Sequence, residues 1–136
     1  MTLGYLLDTN ICIYIIKNRP PTVRDRFARL QPGQLGLSAV TEAELLHGGH
    51  ISQRVNHNLA AISDFVSRLV VVPFDSRVTD TYGHVRAILE QQGQPIGPLD
   101  FQIVATALAH DLVLVTNNVR EFQRVPALRV EDWSQA

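Results

Sequence analysis

Apolar positions in this chain fall into short continuous runs that alternate with longer stretches of helical spacing. "GYLL" reads as a buried first strand ending at Asp8, and "ICIYIIKN" as a largely apolar helix that stops before Pro20-Pro21. Val23, Phe27 and Leu30 then share one helical stripe, with Arg24, Arg26 and Arg29 around the rest of the surface. After the turn "QPGQ", "LGLS" is a second strand, and "VTEAELLHGG" a helix that Gly48-Gly49 is expected to close. Val55, Leu59, Ile62, Phe65, Val66 and Leu69 mark a longer helix, followed by the β-rich "VVVPF". Val78, Tyr82, Val85, Ile88 and Leu89 predict another helix, capped by Asp75 or Ser76 and ended by Gly93. Leu99 to His110 is apolar on nearly all sides and belongs in the interior; "LVLVT" is a central strand and "LRVEDW" a short edge strand.

Strands alternating with helices predict an α/β fold, a central, mostly parallel, twisted sheet flanked by helices on both faces. With 136 residues, 46% of them hydrophobic, a single domain over 1–136 is expected, burying roughly two-thirds of the surface its unfolded chain exposes. No internal repeat, low-complexity tract or linker interrupts it. The one cysteine, Cys12, sits between Ile11 and Ile13, which suggests a buried thiol in a reducing compartment, the cytoplasm. The apolar N-terminus lacks a basic leading region and carries Asp8 and Asn10, against a signal peptide, and no run is long enough for a membrane span. Twelve basic residues against 13 acidic ones give no global attraction to nucleic acid, so any such role needs a local patch.

In open parallel sheets ligands gather outside the carboxyl ends of the strands, which singles out polar residues placed directly after buried strands. Asp8-Thr9-Asn10 and Thr116-Asn117-Asn118 stand at such places, and Asp100 begins the most buried helix. Each has a bland reading: Asp8, Thr9 or Asp100 as a helix cap, Thr-Asn-Asn as a turn. Together they suit a hard, oxygen-liganded cation such as magnesium or manganese. Glu42 and Glu44 lie about 200° apart around a helix axis, so one of them can join the group; the local pattern leaves the choice open.

"YLLDTNICIYIIKN", "VTEAEL", "QPIGPLD" and "VTNNVREF" occur in this order, and the chain from about Tyr5 to Trp133 resembles the PIN-domain ribonucleases, in particular the VapC toxins of bacterial toxin–antitoxin pairs. The resemblance places an acidic quartet on Asp8, Glu44, Asp100 and the position of Asn118, and so selects Glu44 over Glu42. Many PIN domains carry an aspartate where this chain has Asn118; Glu121 would compensate if it points inward. The resemblance implies a magnesium-dependent endoribonuclease, with manganese as a substitute, leaving a 5′-phosphate and a 3′-hydroxyl. Asp8 and Asp100 would hold the metal and Glu44 would orient or deprotonate the nucleophile. Thr9, Asn10, Thr116 and Arg120 would position substrate. The match of "PIGPLD" and "TNNVREF" to enteric-type members implies initiator tRNA cut in the anticodon loop. Implied partners are a cognate VapB-type antitoxin, whose C-terminal segment crosses the acidic groove, and a second copy in a homodimer that assembles further with the antitoxin. Tyr14, Ile15 and Ile16 are candidates for such surfaces or for the core.

Lys17, Arg19, Arg24, Arg26, Arg29, Arg120 and Arg124 are the cations available to RNA, those from Arg24 to Arg29 reading first as a solvated helix face. A haloacid-dehalogenase-like phosphatase would need an acid at Asn10, and a di-iron site a second Glu-x-x-His beside Glu44/His47. His47, His50, His57, His84 and His110 are scattered surface or packing residues. From another class, a non-catalytic RNA- or protein-binding module on the same fold would bind without needing Asp8 or Asp100.

Overall fold

The structure, a computed structural model, describes residues 2–134. Five strands, β1 (Tyr5–Leu7), β2 (Leu35–Ser38), β3 (Val70–Val72), β4 (Val113–Val115) and β5 (Val130–Glu131), form one sheet in the order β3-β2-β1-β4-β5. Every neighbouring pair is parallel. Parallel neighbours require crossovers, supplied here by α1 (Thr9–Lys17), α2 (Pro21–Ala28), α3 (Ala39–His50), α4 (Val55–Ser67), α5 (Ser76–Gln91), α6 (Pro98–Ala109) and α7 (Val119–Phe122).

Successive strand residues face opposite sides of a sheet, and β1 and β4 show this directly. Leu6 pairs in register with Leu114, and both join Val85, Leu89, Phe101 and Val104 of α5 and α6 on one face. Leu7 pairs with Val115, and both join Ile11, Val23, Leu45 and Ile62 of α1 to α4 on the other. Burial on both faces explains why the strands read as continuous apolar runs. Cys12 is fully buried within the second cluster, and that burial pushes its thiol pKa well up. No helix of the described residues is long and apolar enough to cross a membrane.

Two departures from the expected boundaries have a direct physical reason. The first helix starts at Thr9, two residues before the apolar run, because the Asp8 carboxylate accepts the Ile11 N–H at 3.0 Å and caps it. Gly48 and Gly49 do not close α3; it continues to His50. Gly49 is buried where α3 meets α4, and a Cβ there would lie 2.8 Å from Leu59 Cδ2 and 3.1 Å from Ile62 Cδ1. A packing contact between helices has thus placed a glycine where local sequence suggests a stop. Gly93, with φ +68°, does end α5 in the left-handed conformation that glycine tolerates.

Adjacent glycines should therefore respond oppositely. Gly49→Val is expected to destabilise by about 1–3 kcal/mol through overpacking. Gly48→Ala, where an added Cβ meets nothing within 4 Å, should stabilise by up to about 1 kcal/mol through helix propensity. Urea unfolding of the two variants checks this; a shift of the same sign in both would contradict the close-approach account.

Candidate active site

The chain moves outward from β1 through β2 to β3, then crosses back to lay β4 on the other side of β1. This reversal opens a crevice at the carboxyl ends of β1 and β4, where open α/β sheets bind ligands. A cleft of about 180 Å³ lies there, lined by Asp8, Thr9, Asn10, Glu44, Asp100 and Asn118 over an apolar floor of Ile103 and Phe122.

Asp8 ends β1 and is 6% exposed. A cap is worth about 1 kcal/mol, and serine or asparagine would supply it without burying a charge. Capping alone therefore does not explain an aspartate at this depth. Burial raises its pKa, the Thr116 hydroxyl and the Ile11 N–H oppose the rise, and Glu44 and Asp132 add to it. Thr9 Oγ1 donates to Glu44 Oε1 at 2.6 Å, fixing the carboxylate of α3 against the start of α1. Glu44 lines the cleft and Glu42 does not. The helix choice left open by the sequence is thereby made.

Asp100 is not the cap of α6. Gly97 occupies that position, Pro98 opens the helix, and Asp100 lies in its first turn facing the cleft. Its pKa is pushed up to about 6, by burial first and then by Glu121, Glu44 and Asp8. Glu121 is half-buried beside Asp100 and does not itself line the cleft. Its carboxyl stands close enough to Asp100 to share a hydrogen bond, and its Oε2 accepts from Asn118 Nδ2 at 2.8 Å. Where an aspartate at 118 would supply charge, the amide of Asn118 instead steadies a carboxylate three residues further on.

Thr116 is buried, with its hydroxyl accepting from the Asn118 N–H at 3.0 Å. Arg120 is exposed on α7 and does not line the cleft. Among the described residues no Lys or Arg pairs with Asp8, Glu44, Asp100 or Glu121. Arg26 pairs with Glu131 and lies over the Trp133 ring, and Arg124 reaches the Pro95 carbonyl. Ile15 is core, whereas Ile16 and Ile13 line an apolar groove of about 310 Å³ that ends at Glu44. His47, His50, His57 and His84 are exposed and His110 is half-buried.

The PIN domain model matches residues 5–128. The chain belongs to the PIN-domain family. Among its VapC ribonucleases, the tRNA(fMet)-specific endonuclease VapC of Shigella flexneri is 48% identical over 97% of this chain and 99% of that protein. Ribonuclease VapC2 of Haemophilus influenzae (strain ATCC 51907 / DSM 11121 / KW20 / Rd) is 44% identical over 96% and 98%. The DNA-bound VapBC structure from Salmonella typhimurium superimposes with a TM-score of 0.92 at 42% identity, covering 97% of this chain and 99% of that one. These matches make the chain a PIN-domain endoribonuclease, and its acids lie where the fold opens.

Two features of this PIN domain escaped the sequence. Asp132 approaches Asp8 from the end of β5; its one signal was its position after an apolar edge run. Asn117 Nδ2 donates to the Tyr14 hydroxyl at 2.8 Å across 103 residues of chain, for which no local signal exists.

The raised Asp100 pKa carries a signed prediction. The folded chain holds that proton up to about pH 6, whereas an unfolded aspartate releases it near 3.9. Stability in EDTA should therefore fall as pH rises between these values. Asp100→Asn removes the penalty, so its Tm advantage over the parent should be small at pH 4 and largest at pH 7. Calorimetry in EDTA checks this, and an advantage independent of pH would contradict it.

Proposed function

We propose that this chain is the magnesium-dependent endoribonuclease toxin of a VapBC-type toxin–antitoxin module, cutting the anticodon loop of initiator tRNA and so blocking translation. The observation that carries the reading is a polar cleft at the strand ends lined by Asp8, Glu44 and Asp100, with Glu121 beside Asp100 and no basic partner among the described residues. The naming of the Shigella flexneri relative as specific for tRNA(fMet) supports the substrate. A single PIN domain over residues 1–136, acting in the cytoplasm, belongs to the same reading, supported by a sheet whose strands run from Tyr5 to Glu131.

The donor set suits magnesium, with manganese as its substitute. All the acidic and amide donors that line the cleft are oxygens or carry one. This agrees with a cation that takes one or two carboxylates and keeps its waters. Asp8 and Asp100 would hold it, and when bound it supplies a lowered water pKa and neutralisation of charge on the phosphate.

The chain's own groups account for the remaining work. Glu44, oriented by Thr9, accepts the proton of the attacking water. That oxygen bonds to phosphorus as the bond to the 3′-oxygen breaks, and the leaving oxygen takes a proton from solvent water, giving a 5′-phosphate and a 3′-hydroxyl. The Thr116 hydroxyl bonds Asp8 and opposes the rise in pKa that burial causes. Asn118 holds Glu121, while Asn10 presents a neutral amide at the mouth. An unstacked loop suits so narrow a cleft better than a duplex.

A VapB-type antitoxin is the partner in this reading, supported by the VapBC complexes among the similar structures. The apolar groove that ends at Glu44 suits its C-terminal segment, with an arginine from that segment neutralising the acids. Leu46 and Ile51, both exposed on or just after α3, are apolar surface available to a homodimer and its higher assembly with antitoxin.

5′-end mapping of initiator tRNA incubated with antitoxin-free protein tests the proposal. One discrete anticodon-loop cut is expected with magnesium and none with EDTA or Asp8→Asn. Glu44→Gln should slow the cut on the order of 10²–10⁴-fold, the range for loss of a general base. RNA binding without cleavage by the folded parent, in magnesium or manganese, would favour the binding-module alternative.

A further inference from the structure

Tyr14 is tied to the acidic cleft from outside it. Asn10 lines the cleft, and Tyr14 lies one turn further along the same face of α1. Asn117, which accepts no bond at its buried Oδ1, donates through Nδ2 to the Tyr14 hydroxyl. Its neighbours Thr116 and Asn118 serve Asp8 and Glu121. With its oxygen occupied as an acceptor, the Tyr14 hydroxyl has its own proton left to donate.

The surface beyond Tyr14 changes sign. An open cleft of about 590 Å³ runs along Ile13, Tyr14, Lys17, Arg19, Pro20 and Pro21, with no acid in its lining. Lys17 and Arg19 are exposed and form no ion pair among the described residues. Four carboxylates repel the phosphates flanking the bond to be cut, so a substrate strand needs cations within reach of them. The half-buried tyrosine and the two free cations combine the features that hold unstacked RNA, an aromatic face, phosphate partners and a donor for a 2′-hydroxyl or phosphate oxygen.

We propose that Tyr14, Lys17 and Arg19 form the seat for the nucleotides adjoining the scissile phosphate, with Asn117 as the positioning residue that fixes Tyr14. This rests on the RNA-cleaving reading above. The occupant is single-stranded RNA, because this cleft carries uncompensated positive charge beside a tyrosine that Asn117 ties to the Thr-Asn-Asn turn of the acidic site.

Single-turnover cleavage of initiator tRNA over a range of salt, by full-length protein, tests it. Lys17→Ala/Arg19→Ala should raise the half-saturating protein concentration at least about tenfold and leave the maximal rate within about threefold. The slope of log affinity against log salt should fall by about 1 to 2, as expected for two lost phosphate contacts. Lys17→Arg/Arg19→Lys should restore both. Tyr14→Phe keeps the ring and should cost about 3- to 10-fold in kcat/KM, and Asn117→Ala should match it without a further loss when the two are combined. A parent that cuts RNA while the double variant keeps the same half-saturation and salt slope would overturn the seat and leave the nuclease reading standing. A parent that cuts nothing would remove the reading itself. Unchanged RNA parameters with weakened inhibition by antitoxin would reassign the cleft to the protein partner and overturn the proposal.

Discussion

Mutual repulsion among carboxylates at the ends of β1 and β4 is the constraint around which the rest of the molecule is arranged. Asp8, Glu44, Asp100 and Glu121 come from four separate elements, and no lysine or arginine of the described residues relieves them. Three of the four are held by neutral neighbours. Asp8 is held by the Ile11 N–H and Thr116, Glu44 by Thr9, and Glu121 by Asn118. Each of these neighbours is neutral, so the supports fix geometry and leave the negative charge for a cation to meet.

The sheet supplies the rigidity this requires. Leu6 and Leu7 send their side chains to opposite apolar clusters, so the strand that carries Asp8 is clamped from both faces. The last strand is pinned as well. Arg26 pairs with Glu131 and covers Trp133, whose Nε1 also donates to Glu131. That pinning brings Asp132 toward Asp8 and ties the far end of the chain to the site.

Strands and buried helices were legible in the sequence because burial on both faces leaves runs such as "LVLV" without polar interruption, and α6 is buried at six positions, as its composition suggests. Asp8, Asp100 and the Thr-Asn-Asn turn were legible as a group because the place of polar residues after buried strands is set by topology. What stayed hidden depends on contacts between elements. Gly49 reads locally as a helix stop and serves instead as a packing notch for Leu59. Glu42 and Glu44 differ only in which one meets Thr9, and Asp100 reads as a cap until Gly97 is seen to take that place. Family resemblance supplied the choice of Glu44, and geometry gives its reason.

The most direct test of the central claim is manganese binding, followed by electron paramagnetic resonance, for the parent chain and for the folded Asp8→Asn/Asp100→Asn variant. If the carboxylates are held apart from every internal cation in order to bind a divalent ion, the parent binds manganese, magnesium displaces it, and the double variant loses the binding. Equal binding by parent and variant, or none by a parent that still cleaves RNA, would contradict the account.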